Sequence, residues 1–295
     1  MPIINQIVKG GGGARPTYYV EKKVDANGKL VQGDTVIDFT GVRDIGTNVL
    51  QYAFYENTNI RGQVSMPDLV TLSGQYALGY CFTRCIHITS FSMPVLATIT
   101  NSYALSFTFG NTGITSAVFP ALTSITAGLV FDYCFAACNS LTKAEFPSLS
   151  IAEGYAIFEN MFINCSALED VYFYALTPSS FGTGTTLFNN MLQNCSGVTV
   201  HFPMSIQSTI GSWSSVTGGF GGTNTTVLFD IVTNLTGADG NTYVRKQKES
   251  TSTATAWTYN DTIYYTSGTS EPSVGDTIYS DDACTTTVTT IDSIA

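Results

Sequence analysis

One apolar skeleton returns along this chain at a nearly constant interval, and few constraints on folding are stronger. In residues 131–151, FDYCFAACNSLTKAEFPSLSI, it comprises Phe135, Cys138, Leu141, Ala144, Phe146, Pro147, Leu149 and Ile151. Downstream it recurs as Phe162, Cys165, Leu168, Val171 and Phe173, and upstream as Phe82, Cys85, Ile88, Phe91, Met93 and Pro94. A copy with Thr112 in the cysteine slot and one residue deleted lies between, at Phe109, Ile114, Ala117, Phe119 and Pro120. Looser copies flank these, at Phe54, Ile60, Val64, Met66 and Pro67, and at Leu192, Cys195, Val198, Val200, Phe202 and Pro203. Pro67, Pro94, Pro120 and Pro147 mark intervals of 27, 26 and 27 residues. A partial copy at Asp38, Phe39 and Thr40 begins the series.

Leu141, Ala144 and Phe146 have the L-x-x-L-x-L spacing of a leucine-rich repeat strand. A short strand buries alternate residues, so one repeat leaves an apolar face that only a neighbouring repeat can cover. The spacing therefore predicts a repeat solenoid with parallel strands roughly 4.8 Å apart. Cys85, Cys138, Cys165 and Cys195 should form an inner column, interrupted by Asn57 or Thr112. Each marker proline should stop its strand by removing an amide donor. Leu69 and Leu72, Leu96 and Ile99, Leu122 and Ile125, and Leu149 and Ile151 should then begin the return side of each coil.

FAACNSL followed by AEFP resembles the BspA-like, treponemal type of leucine-rich repeat, first recognised in bacterial surface antigens, over residues 38–231. The resemblance implies a right-handed superhelix with a parallel sheet, a β-rich α/β solenoid, often surface-displayed and concerned with adhesion or protein binding. Fold does not fix function.

Three segments are expected. Residues 1–33 hold a Gly-rich stretch and a hairpin, 18–24 with 29–36, that caps the first coil. The solenoid with its terminal cap occupies 34–231, the cap being a short helix at 204–213 and a last strand at 225–231. Residues 232–295 form a small β module, with strands expected at 242–245, 255–259 and 261–266 and a turn at Asp239 and Gly240.

Charged residues make up only 12% of the chain, against roughly 25% in an average soluble protein. A net charge of −10 argues against nucleic acid as a partner, because phosphate binding needs clustered Lys and Arg. No stretch has the apolar length for membrane insertion. The first residues lack the apolar core of a secretory signal, so cell-surface, extracellular or virion-associated placement would need another route.

The residues favour no enzyme and no cofactor. Gly10 to Gly13 lack the Lys-Ser/Thr of a phosphate loop. Cys81 and Cys85, and Cys134 and Cys138, share a four-residue spacing, but structural zinc uses tighter pairs with matching ligands. The repeat register accounts for these thiols as core, with disulfides between adjacent rungs as the alternative. His87 and His201 each lie near a column cysteine, yet a buried thiol is shielded from substrate. Asp25 to Gly28 and Asp239 to Asn241 read as turns rather than calcium loops.

If Ala144 and Phe146 point inward, Lys143 and Glu145 point outward. The outward rows then run Gln63, Ser90, Ser116, Lys143, Asp170, Thr199 and Ser65, Ser92, Val118, Glu145, Tyr172, His201. They should form one continuous surface. Charge and aromatics concentrate in the later coils, so Lys143, Glu145, Asp170, Tyr172 and His201 are the candidate ligand-binding residues. The expected function is recognition or adhesion, with a host protein or glycan bound on this sheet. A structural or receptor-binding appendage of a phage-like particle is the alternative.

Overall fold

A computed structural model describes residues 39–294, apart from 178–185, 208–218, 246–249, 251–253, 261 and 269–270. The expected N-terminal hairpin lies outside the described residues, as does most of the helix expected at 204–213, of which a 3-10 turn, Met204–Ile206, is seen.

Each coil contributes one longer strand, and these build the sheet arm. Strands β2 (Arg61–Ser65) and β4 (His87–Ser92) pair in parallel. Strands β6 (Ser116–Val118), β8 (Lys143–Phe146), β10 (Asp170–Phe173), β11 (Thr199–Pro203) and β12 (Thr226–Ile231) form a five-stranded parallel sheet. Its register sets Ala144 beside Val171 and Val171 beside Val200 on the buried face. Strand β12 is thus a further rung as well as the end of the stack. The ladder breaks between β4 and β6, at the repeat that is one residue short, so the outward surface is not the continuous sheet expected from the spacing. Thr115 N–H still reaches Thr89 O across the break at 3.3 Å.

On the return side, two-residue strands stack in the order β1 (Asp44–Ile45), β3 (Thr71–Leu72), β5 (Thr98–Ile99), β7 (Ser124–Ile125), β9 (Ile151–Ala152). Their second residues are buried and aligned. In β9 that residue is Ala152, while Ile151, expected inside, is 39% exposed. Ala152 keeps the three-residue interval from Leu149 that Ile125 keeps from Leu122, so the register is regular and the smaller side chain takes the inner position.

The third arm is a ribbon of consecutive turns over 47–56, 75–84, 102–111, 128–137, 155–164 and 187–194. Its amides alternate in use. Asn48, Leu50, Tyr52, Phe54 and Glu56 donate to Gln75, Ala77, Gly79, Cys81 and Thr83 of the next coil, whereas Val49, Gln51, Ala53, Tyr55 and Asn57 donate three residues back. This alternation requires left-handed backbone at every fourth residue, as at Tyr76, Tyr80 and Arg84, or Tyr103, Phe107 and Asn111. Such a backbone disfavours most side chains.

Three ladders of phenylalanine fill the interior. Phe54, Phe82, Phe109, Phe135 and Phe162 stack at 5.3–5.9 Å, Phe119, Phe146, Phe173 and Phe202 at 5.0–5.6 Å, and Phe131, Phe158 and Phe188 at 5.2–5.6 Å. Rings of different ladders meet edge to face, Phe119 on Phe131 at 5.2 Å, the favoured arrangement of aromatic quadrupoles.

The column cysteines are buried, and each thiol donates to a carbonyl one coil back. Cys85 reaches Phe54 O, Cys138 Phe109 O, Cys165 Phe135 O and Cys195 Phe162 O, at 3.0–3.1 Å. Thr112 keeps the place with its hydroxyl, 2.8 Å from Phe109 O. The described cysteines are free thiols.

Past Ile231 the chain forms a closed six-stranded antiparallel barrel: β13 (Asn234–Gly237), β14 (Thr242–Arg245), β15 (Ala254–Tyr259), β16 (Thr262–Ser267), β17 (Thr277–Tyr279) and β18 (Thr287–Ile294). Leu235, Tyr243, Trp257, Ile278 and Ile291 fill it. Trp257 Nε1 donates to Thr266 Oγ1 at 3.0 Å, which satisfies the buried indole.

Candidate functional site

The five outward residues singled out above lie on three adjacent strands. Register places Lys143 beside Asp170, and Glu145 beside Tyr172, which in turn faces His201. Alternation along each strand turns all five away from the Phe core. They form one connected cluster.

Tyr172 is its centre. The His201 ring stacks on it at 4.2 Å, Lys143 Nζ stands 4.9 Å from its centroid, and Tyr174 stacks at 5.4 Å. Lys143 also pairs with Glu145 at 3.0 Å. His201 bridges two carboxylates, with Nε2 at 3.2 Å from Asp170 and Nδ1 at 2.8 Å from Asp230. Burial, then the charges of Asp170 and Asp230, push the Tyr172 phenol up to about 12. Tyr172 therefore stays neutral and offers a hydroxyl at physiological pH.

Three further participants were not anticipated. Tyr174 donates to Glu145 Oε1 at 3.1 Å, and burial followed by Glu145 raises its phenol. Its place two residues after Tyr172 was a readable signal, since alternate strand residues share a face. Asp230 reaches His201 because a register shift separates His201 from Pro203 in the pairing of β11 with β12, and simple spacing sets Leu228 there instead. Arg245 comes from the barrel. Its guanidinium lies 5.2 Å from the Tyr174 centroid and 5.6 Å from that of Trp257, and it bonds Glu271 at 2.5 Å and Val232 O at 2.9 Å. Residues of both the solenoid and the barrel thus meet at Tyr174, and the five candidates are half-buried rather than fully exposed.

The cluster's charges are mutually paired, and the described thiols closest to an imidazole in sequence, Cys85 and Cys195, are core. Burial raises both Cys85's neighbour Cys81 and Cys195 above the ordinary thiol range, which suppresses the reactive thiolate. Among the described residues no group of three or more His, Cys, Asp or Glu is arranged to hold a metal ion. No helix among them is long and apolar enough to cross a membrane.

The family description matching this chain is the BspA type leucine-rich repeat region, in 6 copies over residues 42–134 and 80–214. No curated protein and no solved structure matches the chain.

Proposed function

The chain belongs to the BspA-type leucine-rich repeat family, and on that premise we propose that it is a non-enzymatic recognition or adhesion module. It binds a protein or glycan partner on the late coils of the sheet arm, at Lys143, Glu145, Asp170, Tyr172 and His201. The observation that carries this reading is the Tyr172 cluster, an aromatic held between Lys143 and His201 on the outward face. Aromatics ordered in advance bind with little loss of side-chain freedom and dominate hot spots.

Arrays of host proteins and of glycans, probed with the full chain and with Tyr172→Ala, test it. Truncation of a hot-spot residue removes about 2 kcal/mol, close to a thirtyfold loss of affinity. The expected result is that loss for every partner validated with the wild-type chain. Equal binding by the variant would remove the patch from consideration, and the array that responds assigns the partner class.

A further inference from the structure

The geometry around Tyr172 restricts the chemistry of what its face of the sheet arm can bind. Strands β8 and β11 flank β10 on opposite sides. From one side the His201 ring lies on Tyr172 at 4.2 Å, and from the other Lys143 Nζ stands 4.9 Å from the ring centroid. Both faces of the ring are therefore taken within the chain. A sugar that binds by stacking needs an open aromatic face, and Tyr172 does not offer one. What it offers is its rim and its hydroxyl.

That rim is acidic. After burial itself, the charges that raise the Tyr172 phenol are those of Asp170 on β10, Asp230 on β12, Glu145 on β8 and Glu271 of the barrel. Glu145 and Glu271 each have a cation, Lys143 at 3.0 Å and the buried Arg245 at 2.5 Å. Among the described residues, Asp170 and Asp230 share only the imidazole of His201, at 3.2 and 2.8 Å. That ring has at most two N–H donors for their four oxygens. Their side chains are 35% and 40% exposed, so the remaining acceptor capacity opens to solvent beside the Tyr172 hydroxyl. The coils supply no other cation. Between Arg84 and Arg245 the chain has eight Asp and Glu but a single Lys or Arg, Lys143.

We propose that the partner is a polypeptide that presents Arg or Lys side chains to Asp170 and Asp230. The inference rests on the reading of the late coils as the binding face. A guanidinium suits the rim best, because its planar fork of donors matches a carboxylate with two parallel hydrogen bonds. Charge complementarity of this kind steers encounter and turns away acidic competitors, acidic glycans among them.

Selection from a displayed library of random peptides, with the full chain as bait and a glycan array beside it, tests this. The selected peptides are expected to be enriched in Arg and Lys. Their affinity should fall about tenfold from about 50 mM to about 500 mM salt, as charge pairs at the rim are screened. The double variant Asp170→Asn, Asp230→Asn keeps the shape of both side chains and should also lower affinity about tenfold. The salt series uses the wild-type chain alone and decides the matter even where that variant fails to fold. Selection of neutral or acidic peptides, binding to glycans alone, or an empty selection would each overturn the proposal. Tyr172→Ala separates it from the reading beneath it. Ligands that lose affinity in Tyr172→Ala but ignore salt and the double variant would sink the basic partner and leave the binding face standing. Ligands indifferent to Tyr172→Ala would sink both.

Discussion

The turn ribbon and the sheet arm belong to the same coils and repeat at the same interval, but their outward residues obey different rules. On the ribbon, Tyr52, Tyr80, Phe107 and Tyr133 occupy one column and stack at 4.5–4.6 Å, after which Asn160 and Asn190 take over. Every one of these six residues has a positive φ, between 51° and 58°. Asn tolerates that backbone, whereas Tyr and Phe are strained by it, and their stacking offsets the strain. The column is thus explained by backbone geometry and self-packing. The outward rows of the sheet arm meet no such demand, because extended backbone accepts any residue. Ser116, Lys143, Asp170 and Thr199 change chemistry at each step. Variation that folding does not require is what the proposed recognition face would show.

Exchanging residues between rungs tests that contrast. Tyr80→Asn installs the residue of a later coil, keeps the left-handed backbone comfortable and removes two stacked pairs. Each such pair contributes about 0.5–1.5 kcal/mol, so urea denaturation should show a loss of about 1–2 kcal/mol. A neutral result would mean that the ring column is not structural and that the ribbon competes with the sheet as a binding face.

Asp132 sharpens the same point with charge. Stacking brings it near Glu159, and burial, then the Glu159 charge, lift its carboxyl from 3.8 to about 6. Between about pH 4 and 6 the folded chain therefore holds a proton that the unfolded chain has released. Stability from this group declines as pH rises through that window. Asp132→Asn, the residue type that Asn189 supplies beyond Glu159, should flatten this part of the profile. After discounting for partial exposure, it should add about 1 kcal/mol at pH 7. Thermal melts of both chains from pH 4 to 7 check it, and parallel curves would refute the assignment.

Much of this was legible because columns 26 or 27 residues apart report directly on stacking. The Phe and Cys columns and the inward Ala144 and Phe146 follow from spacing alone. So does the alignment of Lys143 with Asp170, or of Tyr172 with His201. What stayed hidden depends on backbone angles or on distant chain. The ribbon's alternation needs positive φ at Tyr, Phe and Leu, which composition does not advertise. Asp230 reached His201 across an irregular register. Arg245 stands 71 residues from Tyr174 in a module outside the repeat, so no periodicity could bring them together.

The smallest expected effect is the most discriminating. Lys143→Ser carries the residue of the neighbouring rung, Ser116, into the centre of the late-coil cluster. It removes an ion pair with Glu145 and the cation over Tyr172, both partly exposed to solvent, where such interactions contribute well under 1 kcal/mol. Stability should therefore change by less than about 0.5 kcal/mol in the same urea assay. If the loss instead matched that of Tyr80→Asn, the late-coil cluster would be holding the solenoid together as the ring column does. Its charges would then owe their place to folding rather than to recognition, and the contrast between the two arms would collapse.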